Sequence, residues 1–403
     1  MPELYPLENT VQHYDWGSRT RLAELLGTVP GDAPDAELWL GAHPSAPSRV
    51  AGPGRTLLEL VRSAPDAMLG RRVADEYGPR LPYLLKVLAA DRALSLQVHP
   101  KPHAARAGYN RENRQGLAPG DPCRSFHDDQ HKPEMVVALT EFEGLAGFRA
   151  PRAVLDLLDG LAGVLVADVR ALLAADRSPG GVRAAFTRLV AARRDPGTPE
   201  DVATTVAAVA ARLAAGSPSS RADATVLQLA AEHPGDPGSL ASLLLNRVTL
   251  DPGQGLFLPA GEVHAYLSGL GVEVMASSDN VLRAGLTTKR VDEEALLECA
   301  SFVPRPPQPP RTRAAGGRGQ VSTYRAPVRE FALTLADVDP AEDVELPAEG
   351  PRIVLCLSGD LTVTAAHGAA PASLGRGASV FVPHDAGALR LSGSGHAVCA
   401  WVP

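Results

Sequence analysis

The hydrophobic period of this chain changes twice, and few folds accommodate both changes. From the start to about residue 150, short β-like runs alternate with turn residues: Trp39-Leu40-Gly41, Leu84-Leu85-Lys86-Val87-Leu88, Leu94 to His99, and Met135-Val136-Val137-Ala138-Leu139. Residues 151–246 switch to helical spacing, with Val154, Leu157, Leu158 and Leu161 on one face, and Val202, Val206, Val209 and Leu213 on another. Thr198-Pro199-Glu200 reads as a capping Thr followed by Pro at the first helical position. β character returns at Val248-Thr249-Leu250 and, after a turn at Asp251-Pro252-Gly253, at Gly255 to Leu258. Residues 304–319, rich in Pro, Arg and Gly, read as an exposed connector. In the tail, Ile353, Leu355 and Leu357 alternate, a Gly359-Asp360 turn follows, and Leu361 and Val363 alternate again. The expected organisation is mainly β with a helical insertion. One β domain is contributed by 1–150 and, with the connector, 247–320. A helical domain lies at 151–246, and a smaller β domain at 321–403.

The two late β regions echo each other. Gly255-Leu256-Phe257-Leu258-Pro259 aligns with Ala378-Ser379-Val380-Phe381-Val382-Pro383. His264 follows Pro259 by five residues, whereas Ala388 holds the matching place after Pro383. Two related β-barrels are expected, the second without chemistry.

Chemistry concentrates in four segments. Gln97 and His99 sit two apart in a strand-like run, so both side chains leave one face. Adding Glu134 from His131-Lys132-Pro133-Glu134-Met135, and His264 from Pro259-Ala260-Gly261-Glu262-Val263-His264, gives two imidazoles, a carboxylate and an amide oxygen. Such a mixed N/O set suits a divalent metal with room for water or substrate oxygens. Lysine points the same way: it occurs only at 86, 101, 132 and 289, among 39 basic residues. Lys is a compact, titratable point charge and Arg a fixed planar fork, so sites that need an ammonium do not drift to Arg. Lys86, Lys132 and Lys289 are therefore read as functional, and with Arg283 they suit an anionic substrate. His13, His43, His103, His127 and His131 lack partners at ligand spacing and are left out of the site.

A net charge of −7 without a basic stripe excludes nucleic acid and anionic membrane as partners. No apolar run is long enough to span a bilayer, and the N-terminus has no secretory pattern. Four scattered cysteines, at 123, 299, 356 and 399, form no C-x-x-C pair and suit reduced thiols in a cytoplasm.

Tyr14-Asp15-Trp16-Gly17, Glu37-Leu38-Trp39-Leu40-Gly41, Leu94 to Pro100, His131 to Met135, Pro259 to Tyr266 and Ser278 to Lys289 together resemble the type I mannose-6-phosphate isomerases, in order and over most of the chain. The resemblance implies a cupin, or jelly-roll, catalytic barrel with a helical insertion and a second cupin-like barrel. It also implies one Zn2+, held by Gln97, His99, Glu134 and His264, and a small phosphosugar substrate. Arg283 matches the family's active-site arginine. Ser95, Lys86 and Lys289 match positions of phosphate contact, while Lys132, Glu273 and Asp279 line the site. Trp16 is read as pocket wall beside the substrate. Thr288 stands where the family often has Pro, which leaves Lys289 in place. The expected assembly is a monomer.

The chemistry follows independently of the family. Moving a carbonyl between C1 and C2 of a sugar removes a proton α to a carbonyl and creates an anionic enediolate. A divalent metal polarises the carbonyl, Arg283 stabilises the oxyanion, and a carboxylate or a neutral Lys near C2, such as Lys132, moves the proton. Glu273, ahead of Asp279, is the candidate. Isomerisation of another phosphosugar is the alternative, together with a metal-binding sugar sensor. An Fe(II) oxygenase cupin is disfavoured by the fourth ligand Gln97 and the clustered cations.

Overall fold

One strand of 13 residues, His264–Ala276, organises the first of two ten-stranded antiparallel sheets in the computed structural model, which describes residues 3–52 and 54–403. Its first half pairs with Leu96–Val98 and Phe142–Phe148, and its second half with Tyr83–Ala90 and Glu134–Ala138. The strand therefore belongs to both walls of a sheet that curls over on itself, as in the expected cupin barrel. The turning point is a β-bulge between Tyr266 and Ser268, followed by Gly269 at φ 123°. A Cβ at Gly269 would lie 2.7 Å from the Glu141 carbonyl oxygen, so only glycine fits this approach.

The second sheet runs from the edge strand Arg311–Gly316 through Gln320–Arg325, Ala332–Val338, Leu389–Trp401 and Arg352–Ala365 to Ser379–Val382. Tyr5–Glu8 and Arg49–Val50 follow, so the N-terminal strand is hydrogen-bonded to the distal sheet rather than to the first. Val344–Leu346 and Ala372–Gly375 pair off this path, with Leu389–Trp401 and Arg352–Ala365 respectively. The repeat is visible: Gly255–Leu258 precedes His264–Ala276 as Ser379–Val382 precedes the equally long Leu389–Trp401. Phe257 and Phe381 share one core with Val87, Val272, Ile353 and Val398, which packs the two sheets together. Val354, Cys356, Val363, Val380, Leu391 and Cys399 fill the other face of the second sheet with apolar atoms.

Several local expectations differ. Gly359-Asp360 makes no reverse turn: Arg352–Ala365 is one 14-residue strand with a bulge between Cys356 and Ser358, and both halves pair with Leu389–Trp401. The connector ends early, because Arg311–Gly316 is a fully exposed edge strand. Its arginines discourage further pairing at that edge. Thr198 is the first residue of the helix Thr198–Ala214, and its hydroxyl donates to the Ala192 carbonyl at 2.7 Å instead of capping. The first 150 residues also hold helices, including Leu57–Ser63, Arg71–Tyr77 and Pro102–Arg114. Helices from Pro151–Leu158 to Ser220–Glu232 occupy the middle of the chain and share a core with Leu96, Val98 and Leu282 of the first sheet.

Candidate metal centre and substrate cleft

Strand register brings the sequence-predicted residues together. Gln97 lies opposite His264 on one side and opposite Arg283 on the other. Lys86 lies opposite both Glu273 and Trp39. Cross-strand partners share a face, so these rows point into the same interior. His264 and Glu273 are an odd number of residues apart and would face oppositely in a regular strand. The bulge restores them to one side, and the Tyr266 hydroxyl reaches Glu273 Oε1 at 2.9 Å.

His99, Glu134 and His264 form a group whose ligand atoms lie within 4.8 Å of one another. Glu134 Oε1 is 3.1 Å from His99 Nε2, and its Oε2 is 3.3 Å from His264 Nε2. Each imidazole donates its Nδ1–H to a backbone carbonyl, His99 to Asn280 at 2.6 Å and His264 to Glu262 at 2.9 Å. A carbonyl only accepts, so both rings carry hydrogen on Nδ1 and turn a lone pair on Nε2 inward, as metal ligation requires. Burial pushes His99 down to about 4, against the pull of Glu134, so the ring is neutral at pH 7. Burial opposes an ionised Glu134, but the neighbouring imidazoles and the Lys132 ammonium, 3.3 Å away, hold its carboxyl well below the usual range. Against burial, Glu134 in turn pushes His264 up.

These residues fit a divalent metal on an observation independent of any family. Buried His99 Nε2 and Glu134 Oε2 have no hydrogen-bond partner, and polar atoms in that position ordinarily have one. Gln97 turns its amide nitrogen to His264 Nε2 at 3.4 Å and accepts at Oε1 from Ser95 at 3.4 Å. A half-turn of the amide would present Oε1 as the fourth donor.

Beside this group opens a cleft of about 480 Å³, lined among others by Trp16, Lys86, Ser95, Gln97, Lys132, Glu134, Glu273, Asp279, Arg283 and Lys289. Lys86 is buried between two carboxylates, 3.5 Å from Glu37 and 3.3 Å from Glu273, with its ammonium over the Trp39 ring. Burial opposes its charge, and those two carboxylates push its pKa up in spite of that. Burial and the charge of Glu134 push Glu273 up, with Lys86 opposing. Burial lowers Arg283, with Tyr14 opposing, and among the described residues no carboxylate lies within ion-pair distance of its guanidinium. Asp279 sits at the mouth, held by Ser45 at 2.9 Å and His43 at 3.5 Å.

An inner framework fixes these positions. Asp128 accepts from Ser278 Oγ, the Asp279 N–H and Asn280 Nδ2. Asn280 in turn accepts the His127 N–H and supplies the carbonyl that orients His99. Three of the histidines set aside as ligands pair elsewhere, His13 with Asp35 at 3.0 Å, His43 with Asp279 and His131 with Glu330 at 2.6 Å. Sequence reasoning passed over Tyr14, Glu37, Arg92, Glu232, His233 and Tyr266 as cleft residues, and left out His127, which also lines it. For Glu37 the signal was present: it alternates with Trp39 in a quoted motif.

The descriptions "Phosphomannose isomerase type I, catalytic domain" and "Phosphomannose isomerase type I C-terminal" match residues 4–151 and 324–368. The mannose-6-phosphate isomerase of Escherichia coli (strain K12) is 36% identical over 393 residues, covering 96% of this chain and 97% of the relative. The chain belongs to the type I phosphomannose isomerase family. The family extends to animals: the Bos taurus mannose-6-phosphate isomerase is 32% identical over 407 residues, covering 94% of this chain and 93% of its own. A crystal structure of mannose 6-phosphate isomerase bound with zinc and yttrium superposes with a TM-score of 0.87 at 32% identity, covering 99% of both chains. The apo form from Salmonella typhimurium also gives 0.87 at 32% identity, covering 100% of both.

Proposed function

We propose that this protein is a zinc-dependent aldose–ketose isomerase that interconverts D-mannose 6-phosphate and D-fructose 6-phosphate through an enediolate. The observation that carries the reading is one cleft joining a buried His99–Glu134–His264 group to an Arg283 guanidinium that pairs with no carboxylate among the described residues. Support comes from the mannose-6-phosphate isomerases to which the chain is similar over nearly its whole length. Gln97, His99, Glu134 and His264 would hold the zinc, which when bound supplies a Lewis acid to the sugar's carbonyl and hydroxyl oxygens.

The chain's own residues supply the rest. Arg283, next to Gln97 in register, stays charged at any working pH and faces the developing oxyanion. Glu273 is assigned the proton transfer. In the aldose-to-ketose direction the proton leaves C2 and returns to C1, while the hydroxyl proton passes from O2 to O1. Burial raises the affinity of Glu273 for that proton, and the Tyr266 hydroxyl and Lys86 ammonium fix its two oxygens. Lys86 is already shared by two carboxylates, so we place it with Glu273 rather than with the phosphate. Ser95, half-buried, and Lys289, exposed, both line the cleft and are assigned to the phosphate. Asp279, 43% exposed, is the rival proton carrier and exchanges freely with water.

All four cysteines are free, which favours a cytoplasmic setting. No helix among the described residues is long and apolar enough to cross a membrane.

The test is turnover of mannose 6-phosphate, other phosphosugars and unphosphorylated mannose by the wild-type protein and by Arg283→Ala, Glu273→Gln and Asp279→Asn. Mannose 6-phosphate should be preferred, and Arg283→Ala should lose on the order of 10³-fold in kcat, the scale of removing one preorganised oxyanion donor. Glu273→Gln should fall further than Asp279→Asn. Preference for another phosphosugar would move the assignment to that substrate, and the reverse order of the carboxylate variants would move the base to Asp279.

A further inference from the structure

The helical segment reaches the cleft where the helix Ser220–Glu232 ends and brings Glu232 and His233 to its wall. The following turn presents Asp236. Its Oδ2 accepts the Leu286 N–H at 2.9 Å and the Thr287 N–H at 3.4 Å, and its Oδ1 accepts the Gly238 N–H at 2.8 Å. Arg193, which closes the helix Pro179–Ala192, donates to Asp236 and, through its other terminal nitrogen, to the Thr287 carbonyl at 2.8 Å. One carboxylate and one guanidinium, both from the helical segment, thus hold the Leu286–Thr287 backbone by its N–H and carbonyl groups.

That backbone is strained. Leu286 has φ 54°, the one positive value at a non-glycine among the described residues. A leucine stays there only where its surroundings impose it. Its side chain, 2% exposed, is anchored in the core shared with the helices. A Cβ on Gly285 would lie 3.1 Å from the Gly238 Cα, so the two turns are in close backbone contact. Immediately beyond Leu286 the chain delivers Thr287, Thr288 and Lys289 to the cleft, whereas neither Asp236 nor Arg193 lines it.

We propose that Asp236 and Arg193 are positioning residues for the 286–289 loop, and that through them the helical segment sets how tightly the phosphate end of the substrate is held. The substrate's identity rests on the isomerase reading above. The clamp itself rests on the hydrogen bonds and on the strained leucine. Without Asp236 two backbone N–H groups lose their acceptor, Leu286 relaxes to negative φ, and Thr287 to Lys289 turn away from the anion.

The test compares wild-type protein with Asp236→Ala, Arg193→Met and Arg193→Lys, all zinc-loaded, in steady-state kinetics and in calorimetric titration with inorganic phosphate. For Asp236→Ala and Arg193→Met, KM for mannose 6-phosphate should rise about tenfold, the scale of losing one hydrogen bond to a charged group, with kcat within about twofold. Phosphate affinity should weaken by the same factor, Arg193→Lys should fall between, and zinc content should stay at the wild-type level. Wild-type KM and phosphate affinity in the folded variants, or a loss confined to kcat, would overturn the proposal. Arg193→Met decides alone if Asp236→Ala does not fold. A wild-type protein that binds phosphate, loses that binding in the variants and yet never turns over mannose 6-phosphate would refute the isomerase reading and support the clamp.

Discussion

Replacing Lys86 with Met leaves two carboxylates in the barrel without their ammonium. In the native protein Glu37 and Glu273 lie 3.5 and 3.3 Å from Lys86 Nζ, and their side chains are 9% and 3% exposed. Methionine fills nearly the same space, so little of the effect comes from a cavity. Breaking a buried ion pair by removing one partner costs about 3–5 kcal/mol, because the remaining charge is uncompensated. With an unfolding entropy of about 2.1 cal/mol/K per residue, 403 residues give roughly 0.85 kcal/mol/K, so the melting temperature should drop by about 4–6 °C at pH 8. The loss depends on pH. Glu273, already pushed up by burial and the Glu134 charge, loses the cation that opposes them and rises further. A carboxyl whose folded pKa lies above its unfolded value of about 4.3 destabilises the fold increasingly as pH climbs from that value through the folded one. The gap between variant and wild type should therefore widen from pH 5 to pH 8. Thermal melts of both proteins across that range test this. A gap that stays constant, or narrows toward pH 8, would refute the triad as the source.

The framework behind the ligands and the shared core give two further expectations. Asp128→Ala removes the acceptor for Ser278, Asp279 and Asn280, frees the carbonyl that orients His99, and should weaken zinc about 10–100-fold in competition with a chelator while the fold persists. Gly269→Val places a Cβ against the Glu141 carbonyl and Phe142, and should cost more than 2 kcal/mol by overpacking and strain, read as a lowered melting temperature.

How much of this was legible depends on the distance over which geometry had to be carried. Gln97 and His99 could be placed on one face because two residues of strand are enough to do so. His264 and Glu273 could not, since their common side depends on a bulge at Tyr266 and on Gly269, and a glycine inside a strand pattern does not announce which irregularity it makes. The same ambiguity hid the strand's continuation through Gly359-Asp360, which pair regularly just beyond the bulge between Cys356 and Ser358. At Thr198, helix propensity and the preceding turn moved the helix start by one residue, and the hydroxyl found Ala192 instead. The helix Leu57–Ser63 carries a complete capping box, Thr56 with Glu59, which local reading can detect and which the β pattern around it obscured. Asp236 and Arg193 gave no signal, because the residues they hold lie 50 and 94 positions away.

The central claim is that His99, Glu134, His264 and Gln97 hold one zinc ion on which the isomerisation depends. The most direct measurement is a coupled assay of mannose 6-phosphate conversion to fructose 6-phosphate on the same sample as isolated, after chelation and after zinc is restored, with metal content determined at each stage. Activity should vanish with the metal and return in proportion to zinc, approaching one ion per chain. Full turnover in metal-free protein would contradict the account, as would zinc-loaded protein that never converts mannose 6-phosphate.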